Sequence, residues 1–201
     1  MTSKQLVPTK ERILRVAARL FSMSGYNKVT TRQIAAAIGI NAASIYYHYK
    51  SKEEILKSLY RLYADERLKY MPDLNELLRL AEDTPPHDVL MQSFFHYEED
   101  VREFLDQIVA TATLDISTNK NSEKFIQENI FDSIANIHVP LIKRMIELGR
   151  IEPVDIDSYI TVLCFYCFGA ASLSKTAFGV GPEKYHADLS YLLSMIKPTG
   201  K

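Results

Sequence analysis

Glycine is scarce in this sequence, which argues against catalytic sites built on glycine-rich loops. Only 7 of the 201 residues are glycine, and no G-x-G-x-x-G fingerprint or phosphate-cradling loop occurs. The chain also lacks the Ser/His/Asp spacing typical of a nucleophilic triad. We therefore expect neither enzymatic activity nor a cofactor.

Cysteine is equally scarce. Two cysteines are too few for a disulfide framework, and they fit a reducing compartment. Cys164 and Cys167 form a C-x-x-C pattern, but they lie inside an apolar stretch without further ligands, so core packing is favoured over redox or zinc chemistry. His87, His96 and His138 are scattered, and no metal site is predicted. His138 lies in an apolar stripe, where a satisfied core histidine is favoured over a polar group of a ligand pocket.

Long apolar runs are missing too. Residues 158–174 are uncharged, but they fall short of the roughly 20 residues that a membrane-spanning helix needs, and they include serine, threonine and tyrosine. We interpret them as a buried helix. The N-terminal residues lack the apolar run of a signal peptide. We expect no membrane association and a cytoplasmic location.

Charge is unevenly distributed, although the whole chain has a formal charge of only −1. The first 52 residues contain nine lysines and arginines and one acid, a formal charge of +8, so the remaining residues carry −9. A basic N-terminal segment on an acidic remainder indicates that the N-terminal segment approaches a polyanion. The apolar content of 47% excludes a disordered chain.

The stretch Thr30–Lys52 predicts two short helices joined by a tight turn. Ile34, Ala35 and Ile38 share one face of the first helix, and Gly39 follows where a left-handed residue ends it. Thr30 or Thr31 can cap this helix at its start.

The second helix of this pair can be capped by Asn41, with Ile45 and Tyr49 facing the core. Small Ala35 allows the two helices to cross closely. This pattern predicts a helix-turn-helix that presents its second helix to DNA. An ordinary helical hairpin without DNA is the alternative.

The rest of the chain also has helical periodicity, without a strand pattern, and we predict an all-α protein. An amphipathic helix begins at Pro8 or Thr9, ends at Gly25 and supports the two-helix corner, which gives a three-helix head. The further predicted helices span residues 52–70, 74–80, 87–97, 100–116, 123–148, 156–176 and 183–196.

Three segments together resemble the N-terminal DNA-binding domain of TetR-type transcriptional regulators. They are Ile13 to Phe21, GYNKVTTRQIAAAIGI and SIYYHYKSKEEIL, within roughly the first 57 residues. The resemblance implies a DNA-binding domain at residues 1–52 and a helical ligand-binding and dimerisation domain at 53–201. It further implies a homodimer that pairs through its last two helices. Such a dimer would be a repressor that leaves a palindromic operator in double-stranded DNA when a small-molecule effector binds.

The resemblance also assigns roles to residues of the head. Tyr46, Tyr47 and His48 match a run that contacts phosphates or packs beside them. Because alanines at the reading positions offer only methyl contacts, specificity is expected to depend on Arg32, Gln33 and Ser44. The full predicted DNA-binding set is Thr31, Arg32, Gln33, Ala42, Ala43, Ser44, Tyr46, Tyr47, His48 and Lys52.

A ligand pocket is expected in the helical body, and the aliphatic and aromatic content of the body favours an apolar or aromatic effector. The predicted lining residues are Phe104, Ile108, Phe131, Ile134, His138 and Tyr166. For each aromatic residue, packing in the core is the alternative. Two other functions remain open at this point: a helical enzyme or ligand carrier with an incidental basic head, and a protein-interaction adaptor that keeps the fold.

Overall fold

The computed structural model describes residues 8–94, 97–173 and 182–199. The described residues are helical, as predicted, and they contain no strand beyond one isolated antiparallel bridge between Ile151 and Pro198. Their helices are α1 (Thr9–Ser24), α2 (Thr31–Ile38), α3 (Ala42–His48), α4 (Lys52–Lys69), α5 (Leu74–Leu80), α6 (Pro86–Gln92), α7 (Glu99–Asp115), α8 (Lys120–Ile126), α9 (Asp132–Glu147), α10 (Ile156–Leu173) and α11 (Pro182–Ser194).

The chain forms two compact units, and each draws on separate stretches of sequence. The first unit comprises Met1–Glu66, where described, and Glu99–Phe125, and the second comprises Arg67–Glu98 and Ile126–Lys201. This division differs from the predicted boundary between residues 52 and 53, because most of α4 and all of α7 belong with α1–α3. The assignment of DNA binding to residues 1–52 and ligand binding to 53–201 stays a prediction.

In the first unit, α7 packs along α1. Ile13, Ala17 and Phe21, three members of the predicted apolar face of α1, are fully buried. Ile108 and Ala112 of α7 are equally buried. A three-helix head was predicted, but the face of α1 that points away from the corner needs a further helix to cover it, and α7 is that helix.

The second unit has its own apolar core. It is built from α5, α6, α9, α10 and α11, with the segment around Ile151. The fully or nearly fully buried residues at its centre include Val89, Leu90, Leu141, Ile142, Met145, Leu189 and Leu193.

The helix predicted for residues 123–148 is present, but it begins earlier and contains a π-helical segment. Helix α8 begins earlier, at Lys120, with Asn119 Oδ1 accepting from the amide of Asn121 at 3.0 Å. Ser122, which a helix starting at residue 123 would have as its cap, is buried, and its hydroxyl lies 2.8 Å from that of Tyr60. Side-chain hydroxyls can cap helices or bond across the core, and the sequence does not distinguish the two uses.

A π-helical segment, Gln127–Phe131, separates α8 from α9. Arg67 of α4 donates a hydrogen bond of 2.7 Å to the carbonyl of Asn129 in this segment, and it also contacts the hydroxyl of Ser133. A backbone carbonyl in the widened turn thus has a side-chain donor. Helical periodicity could not predict this irregularity, because the donor comes from a distant helix.

Smaller differences concern helix ends. Helix α6 ends at Gln92, before the predicted residue 97. Asp155 accepts from the amide and the hydroxyl of Ser158 at the start of α10, as expected for a cap. Residues 174–176 of the predicted apolar helix and 179–181 of the predicted break lie outside the described residues.

Candidate nucleic-acid interface

The first helix of the corner, α2, begins with a reciprocal cap. Thr30 Oγ1 accepts from the amide of Gln33 at 3.2 Å, and Gln33 Oε1 accepts from the amide of Thr30 at 2.7 Å. Two amides at the helix start are thereby satisfied. Gln33 therefore has a local role in capping α2, which its sequence position did not predict. Its predicted contact with bases stays a prediction.

The turn and the second helix follow the prediction. Gly39 has φ 73° and ψ 33°, the left-handed conformation that glycine adopts at little cost, and it ends α2. Asn41 Oδ1 accepts from the amide of Ala43 at 2.9 Å and caps α3. Ile45 and Tyr49 are buried, which fixes the orientation of α3 on the core.

The opposite face of α3 is open to solvent. Tyr47 is 88% exposed, and Tyr46 and Ala43 are also exposed. Tyr46 reaches across the corner, where its hydroxyl lies 3.3 Å from Thr31 Oγ1 of α2. The ring of Tyr47 meets that of His48 edge-on, with centroids 5.2 Å apart. Solvent-facing hydroxyls and rings on a short helix are suited to contact a DNA backbone.

The remaining predicted residues of the corner lie around this face. Arg32 is exposed on α2, whereas Ala42 and Ser44 are half-buried at the start of α3. The geometry brings nine of the ten predicted residues onto two adjoining helices, α2 and α3. The contact of each of these residues with DNA stays a prediction.

Lys52, the tenth predicted residue, lies at the start of α4 and is bonded to the turn before α2. Its ammonium donates to the carbonyls of Tyr26 and Val29 at 2.8 and 2.9 Å. It also lies 4.1 Å from the centroid of the Tyr26 ring. Desolvation by burial lowers the pKa of Lys52. These contacts favour a role in holding the corner together, and phosphate contact by Lys52 stays a prediction.

Ser51 and Glu54, three residues apart at the start of α4, have the spacing of a capping box, but one of the two expected bonds is shifted. Ser51 Oγ accepts from the amide of Glu54 at 3.1 Å. The carboxylate of Glu54, however, accepts from the amide of Lys50 at 2.6 Å, one residue before the expected partner. Both bonds satisfy amides that would otherwise be free at the entry to α4.

Asp115 is a residue of the first unit to which the sequence assigned no role. Asp115, at the end of α7, accepts a 2.7 Å hydrogen bond from the amide of Tyr26, in the turn before α2. The two residues are 89 positions apart. No local sequence signal connects them, because an aspartate at a helix end is ordinarily a solvated charge.

The predicted pocket residues do not all lie in one unit. Phe104 and Ile108 belong to α7 of the first unit, and the other four belong to the second. Ile108 is fully buried, whereas Phe104 lies under the guanidinium of Arg15, 5.3 Å from ring centroid to Cζ. Phe104 also lines a cleft of about 530 Å³, together with Pro8, Lys10, Glu11, Leu14, Arg15, Tyr49, Leu62, Glu66, Asp100 and Val101.

In the second unit, Phe131 and Tyr166 take part in separate aromatic groups. The Phe131 ring meets those of Phe165 and Phe168, with centroids 6.2 and 5.9 Å apart. Tyr166 stacks on Tyr185 at 5.7 Å and donates to its carbonyl at 3.2 Å. Ile134 packs at the edge of the second core. Their membership of a ligand pocket stays a prediction.

His138 is buried, and both of its ring nitrogens have partners. Ser93 gives its hydroxyl proton to the carbonyl of Leu90 at 2.6 Å, so its oxygen accepts from Nε2–H of His138 at 3.1 Å. We therefore assign Nδ1 as the acceptor of the Tyr159 hydroxyl at 2.9 Å. Burial lowers the pKa of His138 to about 3, so the ring is neutral. These contacts support the interpretation of a satisfied core histidine.

The pH dependence of stability should report this buried ring. Because its folded pKa of about 3 lies below the ordinary value of 6.5, the unfolded chain takes up the proton first as the pH falls. The contribution of His138 to stability is complete above pH 6.5 and is lost by about 1.4 kcal/mol per pH unit below it, roughly 2.7 kcal/mol at pH 4.5.

Urea denaturation at several pH values between 7 and 4.5 measures this loss. Relative to the parent, His138→Gln should be less stable at pH 7 but lose less stability on acidification. Its unfolding should take up about one proton fewer than unfolding of the parent. A parental slope in His138→Gln would contradict the assignment of a buried neutral ring.

The cysteines are placed as packing residues would be. Cys164 is buried, and its thiol lies 3.9 Å from the carbonyl of Phe131, while Cys167 Sγ lies 3.7 Å from the hydroxyl of Tyr185. Burial raises the pKa of the two thiols to about 11 and about 12. Thiols with raised pKa values are poor nucleophiles at neutral pH.

Among residues 8–94, 97–173 and 182–199, no group of three or more histidine, cysteine or acidic side chains has a geometry that could hold a metal ion. Within the same residues, no helix has both the length and the apolar character needed to cross a membrane.

The capped α2, the left-handed Gly39 and the outward-facing α3 define an all-α protein with a helix-turn-helix. Residues 13–59, which run from α1 into α4, match the sequence profile described as "Bacterial regulatory proteins, tetR family". Over these residues the chain is similar to that family.

Individual relatives show the same similarity over part of their length. Over 107 residues the chain is 35% identical to the uncharacterized HTH-type transcriptional regulator YerO of Bacillus subtilis strain 168. This match covers 53% of this chain and 36% of YerO. Over 120 residues it is 33% identical to IcaR of Staphylococcus epidermidis, described as a negative transcriptional regulator of the biofilm operon icaADBC, with 59% and 62% covered. The chain thus spans less than two thirds of either relative.

The fold extends the likeness over the whole chain. The structure of the ketosteroid transcriptional regulator KstR2 of Mycobacterium tuberculosis has a TM-score of 0.59 to this chain at 21% identity, and the match covers 98% of this chain and 99% of that one. At this identity the match establishes a shared all-α fold with an N-terminal helix-turn-helix.

Proposed function

We propose that this protein is a cytoplasmic DNA-binding transcriptional regulator, and specifically a repressor that a small molecule releases from a palindromic operator. The observation that carries the proposal is the exposed face of α3, with Tyr46 and Tyr47 directed away from a core in which Ile45 and Tyr49 are buried. The description of the relative IcaR as a negative regulator supports repression.

A homodimer through α10 and α11 is part of the proposal. Both helices expose large apolar side chains, including aromatic rings of the kind that protein interfaces bury. Phe165 on α10 is 62% exposed and Tyr191 on α11 is 66% exposed. Val162 on α10 and Met195, directly after α11, are exposed as well. A second copy of the chain is the proposed occupant, since two-fold symmetry would place two α3 helices in successive major grooves.

The effector is proposed to be an apolar or aromatic compound that binds in the helical body. The second unit supplies aromatic rings for such a compound, among them Phe131, Phe168 and Tyr166. The effector can release the operator only by binding the DNA-free arrangement of the dimer more tightly than the DNA-bound one.

Selection of DNA sites from a random pool with the purified chain tests the function. We expect a palindromic site, bound with an affinity that falls steeply with salt because basic side chains displace counterions from phosphates. Binding without sequence preference would favour the interaction adaptor instead. Turnover of a metabolite, or tight ligand binding without salt-dependent DNA affinity, would favour the enzyme or carrier.

Tyr47→Ala tests the placement of the DNA surface. Because phosphate contacts position a protein without reading sequence, the variant should bind the selected site and random DNA more weakly by a similar factor, about tenfold, which is about 1.4 kcal/mol. Fluorescence anisotropy at fixed salt measures both affinities. Met23→Ala, at an exposed apolar residue of α1, is the matched control and should bind as the parent does. Parental affinity of Tyr47→Ala would remove Tyr47 from the interface.

A further inference from the structure

The turn between α1 and α2 is held by side chains from two other helices. It follows Gly25, which has φ 82°, and contains a short 3-10 turn at Tyr26–Lys28. Asp115 of α7 approaches it from one side, where its carboxylate accepts from the amide of Tyr26 at 2.7 Å and lies 3.5 Å from the side-chain nitrogen of Asn27. Lys52 of α4 approaches it through the carbonyls of Tyr26 and Val29.

Tyr26 is therefore fixed through both of its backbone polar groups. Its amide is bound by α7 and its carbonyl by α4, and the aromatic ring lies below the Lys52 ammonium. The carboxylate of Asp115 also attracts the ammonium of Lys52. This attraction raises the pKa of Lys52 and partly offsets the lowering by burial. Thr30, the cap of α2, follows within four residues of Tyr26, so a shift of the turn moves the start of α2.

Asp115 is a costly residue for this position. It is only 5% exposed, and a buried carboxylate is stabilised only when it is paired and hydrogen-bonded. It also places a negative charge at the C-terminal end of a helix, which the helix dipole disfavours. An apolar side chain would fill the same space without either cost, so packing alone does not account for an aspartate here.

The same helix supports the head along its length. Phe104, Ile108 and Asp115 are spaced by four and seven residues and so lie on one face of α7. Phe104 meets Arg15 of α1, and Asp115 meets the turn that follows α1. Helix α7 thus lies beside α1, and its C-terminal end contacts the segment that leads into the corner.

We propose that Asp115 is a positioning residue for operator recognition. Through the amide of Tyr26, its carboxylate sets the position of α2, and therefore of α3, relative to α1, and displacement of the end of α7 lowers the affinity for the operator. This inference rests on the proposed function, because it assumes that α3 reads DNA. Non-specific binding depends on exposed cationic side chains and should not need this geometry.

The test compares Asp115→Ala, Asp115→Leu and Asp115→Asn in the full-length chain. Affinities for the selected operator and for random DNA of equal length are measured at one salt concentration, and amide hydrogen exchange is followed at Tyr26. Asp100→Ala and Asp100→Asn, at an exposed carboxylate of the same helix, are the matched controls. Circular dichroism melts establish which variants fold.

Asp115→Ala and Asp115→Leu should each bind the operator at least tenfold more weakly, with affinity for random DNA within about twofold of the parent. Exchange at Tyr26 should be at least tenfold faster in both. Asp115→Asn keeps an oxygen that can accept from the amide, so its operator affinity should stay within about threefold. Asp115→Leu fills the volume of the carboxylate, so it separates positioning from packing if the alanine variant does not fold.

Three results would overturn the inference. The first is parental operator affinity in the folded alanine or leucine variant, and the second is an equal loss on operator and random DNA. The third is failure of both variants to fold, which would make Asp115 a residue of the fold alone. A parent chain that shows no preference for any DNA sequence would instead contradict the proposed function, so the two failures are distinguishable.

Discussion

A chain carrying Val162→Glu and Phe165→Glu is expected to be monomeric and to bind its operator at least 100-fold more weakly than the parent. Both side chains are exposed on α10, so the substitutions remove little from the interior of one protomer. In the proposed dimer they place four carboxylates in an apolar interface, where unpaired charges are strongly disfavoured. A dimer binds two half-sites at once, which raises its affinity for the operator by about 100-fold or more. Loss of the dimer removes this gain in affinity.

Sedimentation velocity and operator titration of the same samples measure both effects. The matched control is Leu68→Glu with Met71→Glu, two exposed apolar residues elsewhere in the second unit. The control should remain dimeric and bind the operator as the parent does. A dimeric Val162→Glu, Phe165→Glu chain would remove α10 from the interface, whereas a monomer with parental affinity would show that one copy suffices for recognition.

A fragment ending at Lys52 is expected not to fold, although it contains the whole helix-turn-helix. In the 201-residue chain, Ile13, Ala17 and Phe21 of α1 are fully buried in a unit that includes α7. Burial of a large apolar side chain contributes about 1.5–3 kcal/mol. Exposure of several such side chains removes most of the 5–15 kcal/mol by which a typical domain is stable. The contact between Asp115 and the turn before α2 is lost as well.

Circular dichroism melts and the dispersion of amide proton shifts measure the state of the fragment. The matched control joins residues 1–66 to residues 99–125 through a flexible Gly/Ser linker, which restores the partners of α1. This control should melt cooperatively, while the shorter fragment should not. A cooperative transition and dispersed shifts in the fragment ending at Lys52 would show that α1–α3 form an independent domain, as the sequence alone suggests.

The corner itself was predictable because its signals are local. A threonine before α2, a glycine at its end and an asparagine before α3 each act within three residues of their own positions. Their chemistry fixes where helices begin and end regardless of the rest of the chain. The burial of Ile45 and Tyr49 followed from helical spacing in the same way.

The contacts that hold the corner in place were not predictable, because their partners are distant in sequence. Asp115 and Tyr26 are separated by 89 residues, and Arg67 and Asn129 by 62. Lys52 illustrates the same limit over a shorter range: a lysine at a helix start suggests a solvated charge, yet its ammonium binds two carbonyls. Long-range pairing depends on how helices pack, which residue types alone do not specify.

The predicted pocket shows a related limit. Helical periodicity identifies which residues of a helix face inward, but it does not identify the neighbour they meet. Phe104 and Ile108 were assigned to the helical body because α7 follows the predicted boundary, whereas they belong to the unit that contains α1. The apolar stripe around His138 favours a core histidine, and its bonds to Ser93 and Tyr159 agree with that interpretation.

The interrupted first unit has a consequence for the order of synthesis. Its second stretch, Glu99–Phe125, emerges from the ribosome only after residues 67–98, which belong to the other unit. At about 5–20 residues per second, roughly 4–15 s pass between completion of Lys52 and of Phe125. During that interval α1 has no α7 to cover its apolar face, so the nascent N-terminal segment is a ready substrate for chaperones. The helix-turn-helix is thus encoded early but gains its support late.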